Sequence, residues 1–180
     1  MSQLRSVLES AQSNGAALGH FNISDWILLK AVFASANELK VPVIVGASEG
    51  ERAFLGVAQI AALVTSLREE DDFPIFLNAD HTHSLESAIA AAKAGFDSIV
   101  YDLSALPFEE NDKQTKEAVE ALRSISPSIP QNRKDASLRP GSSAVIAFNE
   151  SKTSEHFVLN TFDFTTVHTH GSSCHPLGRR

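Results

Sequence analysis

An acid and two histidines follow a run of apolar and small residues in the segment Phe76–His83, near the middle of the chain. Side chains alternate between the two faces of a β-strand. Asp80 and His81 are therefore expected to leave a strand end in different directions, while His81 and His83 share one. A carboxylate beside an imidazole at a strand end can hold a metal ion and move a proton in one small space. The alternative is a capped turn before a helix, with Asp80 or Ser84 as the N-cap and the histidines in solvent.

The first two-thirds of the sequence alternates between short apolar strands and amphipathic helices. The predicted strands are 17–22, 41–47, 75–79 and 98–103, and the predicted helices are 28–39, 57–68, 85–94 and 111–123. Four βα units with nearly continuous apolar strands indicate a parallel sheet covered by helices, with right-handed crossovers. A doubly wound sheet and a (β/α)8 barrel both fit this pattern. The first strand lacks a glycine-rich dinucleotide fingerprint, which weakens the doubly wound option.

Composition narrows the class of protein and its partners. The formal net charge is −7 and no basic stripe is present, which argues against nucleic acid as a partner. Cys174 is the only cysteine, so an intramolecular disulfide is excluded and a reducing compartment is favoured. No apolar run approaches the length of a membrane span, and the polar start resembles neither a signal peptide nor an anchor. We therefore expect a soluble cytoplasmic protein with no membrane partner.

The alternation of strands and helices stops after Ile129, where a polar and basic stretch begins. Two short strands are predicted at 145–148 and 157–159, within a segment rich in serine and threonine. We expect a partial barrel domain at 1–128 and a divergent, disordered or non-native tail at 129–180. The tail also holds potential zinc ligands whose spacing matches no zinc template, so a polar tail is preferred; they are His168, His170, Cys174 and His175.

Polar residues follow each of the four predicted parallel strands. They are His20 and Asn22, Ser48 and Glu49, Asp80 with His81 and His83, and Asp102 with Ser104. Ligands bind at the carboxyl ends of strands in parallel α/β folds, so this convergence predicts a functional site. Structural explanations stay open for several of these positions: Asn22 and Asp102 could cap a turn or a helix, Ser48 could close a turn, and His20 could pack beside Phe21.

Several segments together resemble the class II fructose-bisphosphate aldolase family, which includes the tagatose-bisphosphate aldolases. They are the octet that contains Asp80-His81, Gly95–Asp102, Leu106–Asn111, Gly19–Asn22, and Val41–Ile44 followed by Ser48. The resemblance runs in order over about residues 1–128. It implies a (β/α)8 TIM barrel that reversibly cleaves fructose or tagatose 1,6-bisphosphate to dihydroxyacetone phosphate and glyceraldehyde 3-phosphate. Such lyases act in carbohydrate metabolism, including glycolysis, and are commonly homodimers or larger.

The resemblance also implies roles for individual residues and for Zn²⁺, which would polarise the ketone and stabilise an enediolate. Asp80 matches the acid/base that moves the proton at the C4 hydroxyl, and His81 matches the first zinc-binding histidine. Asp102 matches a position that holds a second divalent cation in some members. Ser48 matches a substrate-contacting serine, and Asn22 matches a residue that lines the pocket.

The chain departs from the family pattern after the fourth unit. Ser128–Asn132 stands where the family's fifth strand carries a metal-binding glutamate, and two further zinc histidines and the phosphate loops are not recognisable. A shifted reading frame or a truncated gene is our hypothesis for this break. We expect an incomplete barrel with two open sheet edges, weak metal binding and little turnover. The alternatives are a non-catalytic half-barrel that binds a phosphosugar or a partner chain, and another metal-dependent barrel enzyme acting on a phosphorylated sugar.

Overall fold

The computed structural model describes residues 4–125, 144–147 and 158–159. In these ranges the chain forms α1 (Leu4–Ser13), β1 (Gly19–Asn22), α2 (Trp26–Leu39), β2 (Val43–Ala47), α3 (Glu49–Leu55), α4 (Val57–Asp71), β3 (Ile75–Thr82), α5 (Leu85–Ala94), β4 (Ser98–Tyr101), α6 (Phe108–Ile125), β5 (Ala144–Ala147) and β6 (Val158–Leu159). The strands form one sheet in the order β1-β2-β3-β4-β5-β6. The first four are parallel neighbours, which confirms the predicted series of βα units.

The two faces of the sheet bury different parts of the chain, because successive side chains of each strand point to opposite faces. On one face, Val45 and Leu77 belong to the main core with residues of α2, α4, α5 and α6. On the other face, Phe76 packs with Leu4 of α1, and Val7, Leu8, Leu18 and Ile44 surround them. We call this second face the inner face. Its apolar part lies at the amino ends of the strands, where α1 covers it.

Side-chain caps fix where the helices begin. Asp25 accepts a hydrogen bond from the amide of Leu28 at 2.7 Å at the start of α2. Ser84 accepts one from the amide of Ser87 at 3.1 Å at the start of α5. Since Ser84 caps α5, Asp80 is not needed for that role, and the alternative of a capped turn does not account for its carboxylate.

Three elements differ from the sequence-based expectation. β3 continues to Thr82, three residues beyond its predicted end, so Asp80 and His81 lie within the strand. Helix α1 has apolar residues at helical spacing within a polar segment, a signal that its charge and polarity obscured. Helix α3 begins with a capping box formed by Ser48 and Glu51, which is a recognisable sequence signature for a helix start.

The two short strands expected in the C-terminal segment are present and pair antiparallel, β5 with β4 and β6 with β5. The expectation of two open edges flanking the four parallel strands holds at β1, which lies at the edge of the sheet. At β4 the expectation is wrong, because the backbone of β5 pairs with β4 and fills the hydrogen-bonding positions of that edge. The histidines and cysteine at 168–175 lie outside the described residues. Within the described residues, no helix combines the length and apolarity that a membrane crossing requires.

Candidate active site

The end of β3 is irregular at the residues that the sequence singles out. The register between β3 and β4 shifts between Ala79 and Thr82, and His81 has a φ of 42°. This bulge turns the backbone, so that His81 Nε2 lies 4.0 Å from Asp80 Oδ1. Strand alternation alone predicts that these two side chains diverge. That expectation is wrong in detail, because the left-handed residue brings the imidazole back toward the carboxylate.

The backbone of His81 leads to a stability prediction. A left-handed conformation costs an L-residue roughly 1 kcal/mol, and glycine avoids this cost. We expect the free energy of unfolding of the His81→Gly variant to be about 1 kcal/mol higher than that of His81→Ala, so the glycine variant is the more stable one. Both variants lose the imidazole, so this loss does not affect the comparison. Urea unfolding of the two variants measures the difference. His83 has no positive φ, so at that position alanine should be the more stable replacement. A His81→Ala chain as stable as His81→Gly would contradict the prediction.

The carboxylate of Asp80 is held from the first strand. The Nδ2 of Asn22 donates a hydrogen bond to Asp80 Oδ2 at 2.9 Å. The Asp80 side chain is only 14% exposed, whereas that of His81 is 59% exposed. The hydrogen bond engages one carboxylate oxygen, and Oδ1 lies on the side of His81. Sequence reasoning selected both Asn22 and Asp80 from strand ends, and the fold brings them into direct contact.

The imidazole of His81 is oriented by an acid from the next strand end. Its Nδ1 lies 2.7 Å from Asp102 Oδ2, and Asp102 Oδ1 accepts the amide of Ser104 at 3.0 Å. A carboxylate bound to one ring nitrogen fixes the tautomer and leaves the other nitrogen to accept a proton or bind a metal. Asp102 therefore lies beside His81 as its hydrogen-bond partner, and it also caps the following turn.

A second acid–imidazole pair lies next to the first. His83 Nδ1 is 3.0 Å from Glu49 Oε2, and the His83 amide donates to Glu49 Oε1 at 3.0 Å. The rings of His81 and His83 stack with centroids 6.5 Å apart, as their shared side of the strand predicted. Burial raises the pKa of Glu49, but the hydrogen bonds and charge of His83, with the charge of Arg52, outweigh burial and lower it. Glu49 is thus a stable anion at the rim.

Arg52 of α3 anchors the ends of β2 and β3, a role that the sequence did not indicate. Arg52 is only 3% exposed to solvent. The guanidinium donates to the carbonyl of Ala47, to the carbonyl of Asp80 at 3.0 Å and to Thr82 Oγ1 at 3.0 Å. Two of these acceptors, in Asp80 and Thr82, lie on either side of His81 in the sequence. The guanidinium therefore holds the backbone on both sides of the bulge.

A buried polar layer lies below Asp80 on the inner face. The side-chain Nδ2 of Asn78 donates to His20 Nε2 at 3.2 Å, and Ser98 Oγ donates to Asn78 Oδ1 at 2.8 Å. Burial lowers the pKa of His20, while the charge of Asp80 partly raises it and that of His81 lowers it. His20 is therefore a neutral imidazole near pH 7. The sequence left open whether His20 packs beside Phe21 or belongs to the site. In the structure it is hydrogen-bonded to Asn78 and faces the site.

Ser48 lies at the same edge of the sheet, at the carboxyl end of β2, where it caps α3. Its Oγ accepts the amide of Glu51 at 3.4 Å, and its own amide donates to Glu51 Oε2 at 2.6 Å. The capping explanation that the sequence left open therefore applies to Ser48. Contact between Ser48 and a substrate stays a prediction.

The donor set around His81 fits part of a zinc site. Zinc in proteins is typically tetrahedral, with at least three protein ligands in catalytic sites. Within the part of the chain that the structure describes, no group of three or more His, Cys, Asp or Glu is arranged to hold an ion. His81 has the features of a single ligand, with Asp102 as the acid that orients it. These residues alone do not form a complete metal site.

Comparisons with known sequences converge on one family. The family model described as "Fructose-bisphosphate aldolase class-II" matches residues 2–129. A probable fructose-bisphosphate aldolase of Bacillus subtilis is 38% identical over 117 residues, which cover 63% of this chain and 41% of that protein. The fructose-bisphosphate aldolase of Thermus caldophilus is 33% identical over 123 residues, covering 68% and 40%. The chain thus spans about two-fifths of the length of these curated relatives.

Solved structures agree with the sequence relatives. The YdjI aldolase from Escherichia coli K12 superimposes with a TM-score of 0.63 at 29% identity, over 69% of this chain and 48% of that one. A fructose-bisphosphate aldolase from Campylobacter jejuni gives a TM-score of 0.57 at 25% identity, over 66% and 42%. Together with the four parallel strands, this likeness confirms the predicted α/β fold, a partial (β/α)8 barrel.

Proposed function

Because this chain belongs to the class II fructose-bisphosphate aldolase family, we propose that residues 4–125 carry part of the active site of a ketose-bisphosphate aldolase. The proposed reaction is the reversible cleavage of fructose or tagatose 1,6-bisphosphate to dihydroxyacetone phosphate and glyceraldehyde 3-phosphate. The observation that carries the proposal is the Asp80 carboxylate, held by Asn22 on one oxygen and approached by His81 on the other. This arrangement lies at the carboxyl ends of parallel strands, where barrel enzymes bind ligands.

In the proposed mechanism Asp80 takes the proton of the C4 hydroxyl as the bond between C3 and C4 breaks. The electrons of that bond would stay on the dihydroxyacetone phosphate half, which must take up one proton at C3 before it leaves. In the reverse direction Asp80 returns its proton to the oxygen at C4. Asn22 occupies Oδ2, so Oδ1 is the oxygen proposed to carry the proton. Asn22 orients this carboxylate and lines the pocket, and Ser48 contacts the substrate from the end of β2. Since the side chain of Asp80 is largely shielded from water, proton transfer would occur to the substrate rather than to bulk solvent.

We propose that His81 contributes Nε2 to a zinc ion and that Asp102 keeps the ring in the required tautomer. When bound, zinc would supply Lewis-acid stabilisation of the negative charge that develops on the ketone oxygen. The remaining ligands would come from outside residues 4–125. The assignment of Asp102 to a second divalent cation stays a prediction. Its contact with His81 supports the orienting role.

The 180-residue chain should bind zinc weakly and turn over little substrate, because one imidazole and its acid replace the usual three ligands. We expect its zinc affinity to be at least about a hundredfold below that of the full-length Bacillus subtilis relative. Isothermal titration with zinc, and a coupled assay of fructose 1,6-bisphosphate cleavage, test this with the relative as the positive control. Robust cleavage by the 180-residue chain that a chelator abolishes would show the prediction to be wrong.

A chimera tests the proposed function itself. Residues 1–125 replace the segment of the Bacillus subtilis relative that they match, so that the relative supplies the rest of the barrel. We expect the folded chimera to cleave fructose or tagatose 1,6-bisphosphate, and a panel of other phosphorylated sugars serves as the specificity control. A folded chimera that binds the bisphosphate but cleaves none of the panel would favour the second candidate, a non-catalytic half-barrel. The edge position of β1, with Phe21 half exposed, is the observation that favours that candidate.

The family also supports proposals about the cellular setting. We propose a cytoplasmic lyase of carbohydrate metabolism, active in glycolysis, that forms homodimers and has no nucleic-acid or membrane partner. We also propose that the aldolase-like domain ends near residue 128 and that 129–180 form a divergent segment, of which β5 and β6 extend the sheet of that domain. Size-exclusion chromatography with light scattering on the 180-residue chain tests the oligomeric state directly.

A further inference from the structure

Two side chains of β1 make hydrogen bonds across an intervening strand. β1 and β3 both pair with β2 and not with each other, and Asn22, Gly46 and Asn78 lie side by side in the register. Neighbouring strands are about 4.8 Å apart, so β1 and β3 are separated by roughly 10 Å. A side chain on β2 would normally fill the space between them on the inner face.

Gly46 leaves this space open. A Cβ built on Gly46 would lie 2.5 Å from Asn22 Oδ1 and 2.6 Å from both Cε1 and Nε2 of His20. Carbon–oxygen and carbon–nitrogen contacts this short are strongly repulsive, since non-bonded carbon atoms pack at about 3.5–4.0 Å. Gly46 has no positive φ, so the requirement for glycine is one of space and not of backbone conformation.

Two hydrogen bonds pass over Gly46. They involve Asp80, the proposed proton carrier, and Asn78 in the buried polar layer beneath it. One joins Asn22 Nδ2 to Asp80 Oδ2 at 2.9 Å, and the other joins Asn78 Nδ2 to His20 Nε2 at 3.2 Å. On the same face of β2, two residues earlier, Ile44 has a full side chain and packs in the apolar cluster beside α1. The gap is therefore confined to the level of the site.

We propose that Gly46 is a positioning residue: its missing side chain lets Asn22 and His20 cross β2, and the crossing from Asn22 directs the Asp80 carboxylate toward His81. This inference rests on the proposed function only in giving Asp80 its chemical role. The geometric part concerns the folded chain and can be measured without turnover.

In Gly46→Ala the new methyl group should displace the side chains of His20 and Asn22. The hydrogen bond from Asn22 to Asp80 breaks, and the imidazole of His20 moves away from its buried position. Because burial is the main cause of the lowered pKa of His20, the pKa should rise toward the ordinary histidine value. A purely structural role for Gly46 would lower the melting temperature and leave the His20 pKa of the folded state unchanged.

Nuclear magnetic resonance on the full 180-residue chain provides the test. The readouts are the side-chain amide signals of Asn22 and the titration of the His20 ring protons. Gly46→Ala should shift the amide signals and raise the His20 pKa. The matched control is Gly50→Ala, because a Cβ at Gly50 meets nothing within 4 Å, and it should change neither readout. A folded Gly46→Ala chain with unaltered Asn22 signals and His20 titration would overturn the proposal.

A second background keeps the test decisive if Gly46→Ala fails to fold. The double variant His20→Ala, Asn22→Ala removes the three atoms that lie nearest to the new methyl group. In this background Gly46→Ala should fold and cause no further loss of melting temperature. Failure to fold there as well would show that the crossing is not the reason for glycine, and the proposal would be lost.

The inference and the proposed function fail in different ways. A folded but inactive chimera would count against the aldolase assignment and leave the magnetic resonance result standing. In an active chimera, Gly46→Ala should lower kcat at least tenfold with a smaller change in KM, because it misdirects a group that acts in the transition state. An active chimera in which Gly46→Ala changes only KM would overturn the positioning role alone.

Discussion

Replacing Asp80 by asparagine in the chimeric barrel should lower kcat for fructose 1,6-bisphosphate cleavage by roughly 10²–10⁴-fold, the usual contribution of a general acid/base. Asparagine has the same shape and retains an oxygen that can accept the Asn22 hydrogen bond, so folding should be preserved. It has no group that takes and returns the hydroxyl proton. A coupled assay of triose phosphate release measures the loss, and thermal unfolding confirms that the variant is folded.

The control for this variant is Asp112→Asn on α6. Asp112 forms an i,i+4 ion pair with Lys116 at 2.6 Å on the helix surface. Such pairs are typically worth about 0.3–0.5 kcal/mol, so neither kcat nor stability should change appreciably. If the Asp80→Asn chimera folded and kept the kcat of the unaltered chimera, Asp80 would not be the proton carrier, and the aldolase mechanism proposed for this chain would be wrong.

Replacing Arg52 by methionine should lower the free energy of unfolding of the 180-residue chain by about 3 kcal/mol. Methionine fills much of the same volume but leaves the carbonyls of Ala47 and Asp80 without their donor in a buried environment. Thr82 Oγ1 loses a partner as well. Burial lowers the pKa of Arg52, while the charges of Glu49, Asp80 and Glu51 oppose this shift and favour the charged form. Urea unfolding measures the stability change.

Two comparison variants separate the anchoring role from loss of charge. Lys116→Met removes an exposed i,i+4 pair with Asp112 in α6 and should cost less than about 1 kcal/mol. Arg52→Lys retains the charge, but a single ammonium lacks the planar fork that reaches three acceptors, so it should restore only part of the stability. If the free energy of unfolding of Arg52→Met lay within 1 kcal/mol of that of the unaltered protein, the anchoring role of Arg52 would be contradicted.

The regular parts of this fold follow from local sequence patterns. β-branched runs such as Val43–Val45 predicted the strands, and the apolar stripe of α2 predicted its helix. The convergence of Asn22, Asp80 and Asp102 at one edge followed from the parallel order of the strands. The carboxyl ends of parallel strands necessarily lie at the same edge of a sheet, so the strand order alone places these three residues together.

The contacts that shape the site were beyond such patterns. The approach of His81 to Asp80 depends on a bulge, which alternation cannot indicate. The pairing of Glu49 with His83 joins residues 34 positions apart and requires the exact register of β2 and β3. The buried state of Arg52 depends on acceptors from two strands. In each case the deciding factor is three-dimensional register, which one sequence does not contain.

Helix α1 lies over the amino ends of the strands and occupies the lower half of the inner face. The amino-end side of this face is therefore covered, and Asp80 is reached from the carboxyl-end rim, where His83 and Glu49 lie, and across the open edge at β1. A bulky adduct attached at that rim should consequently slow the access of solutes to Asp80, even though it touches neither the carboxylate nor the residues that orient it.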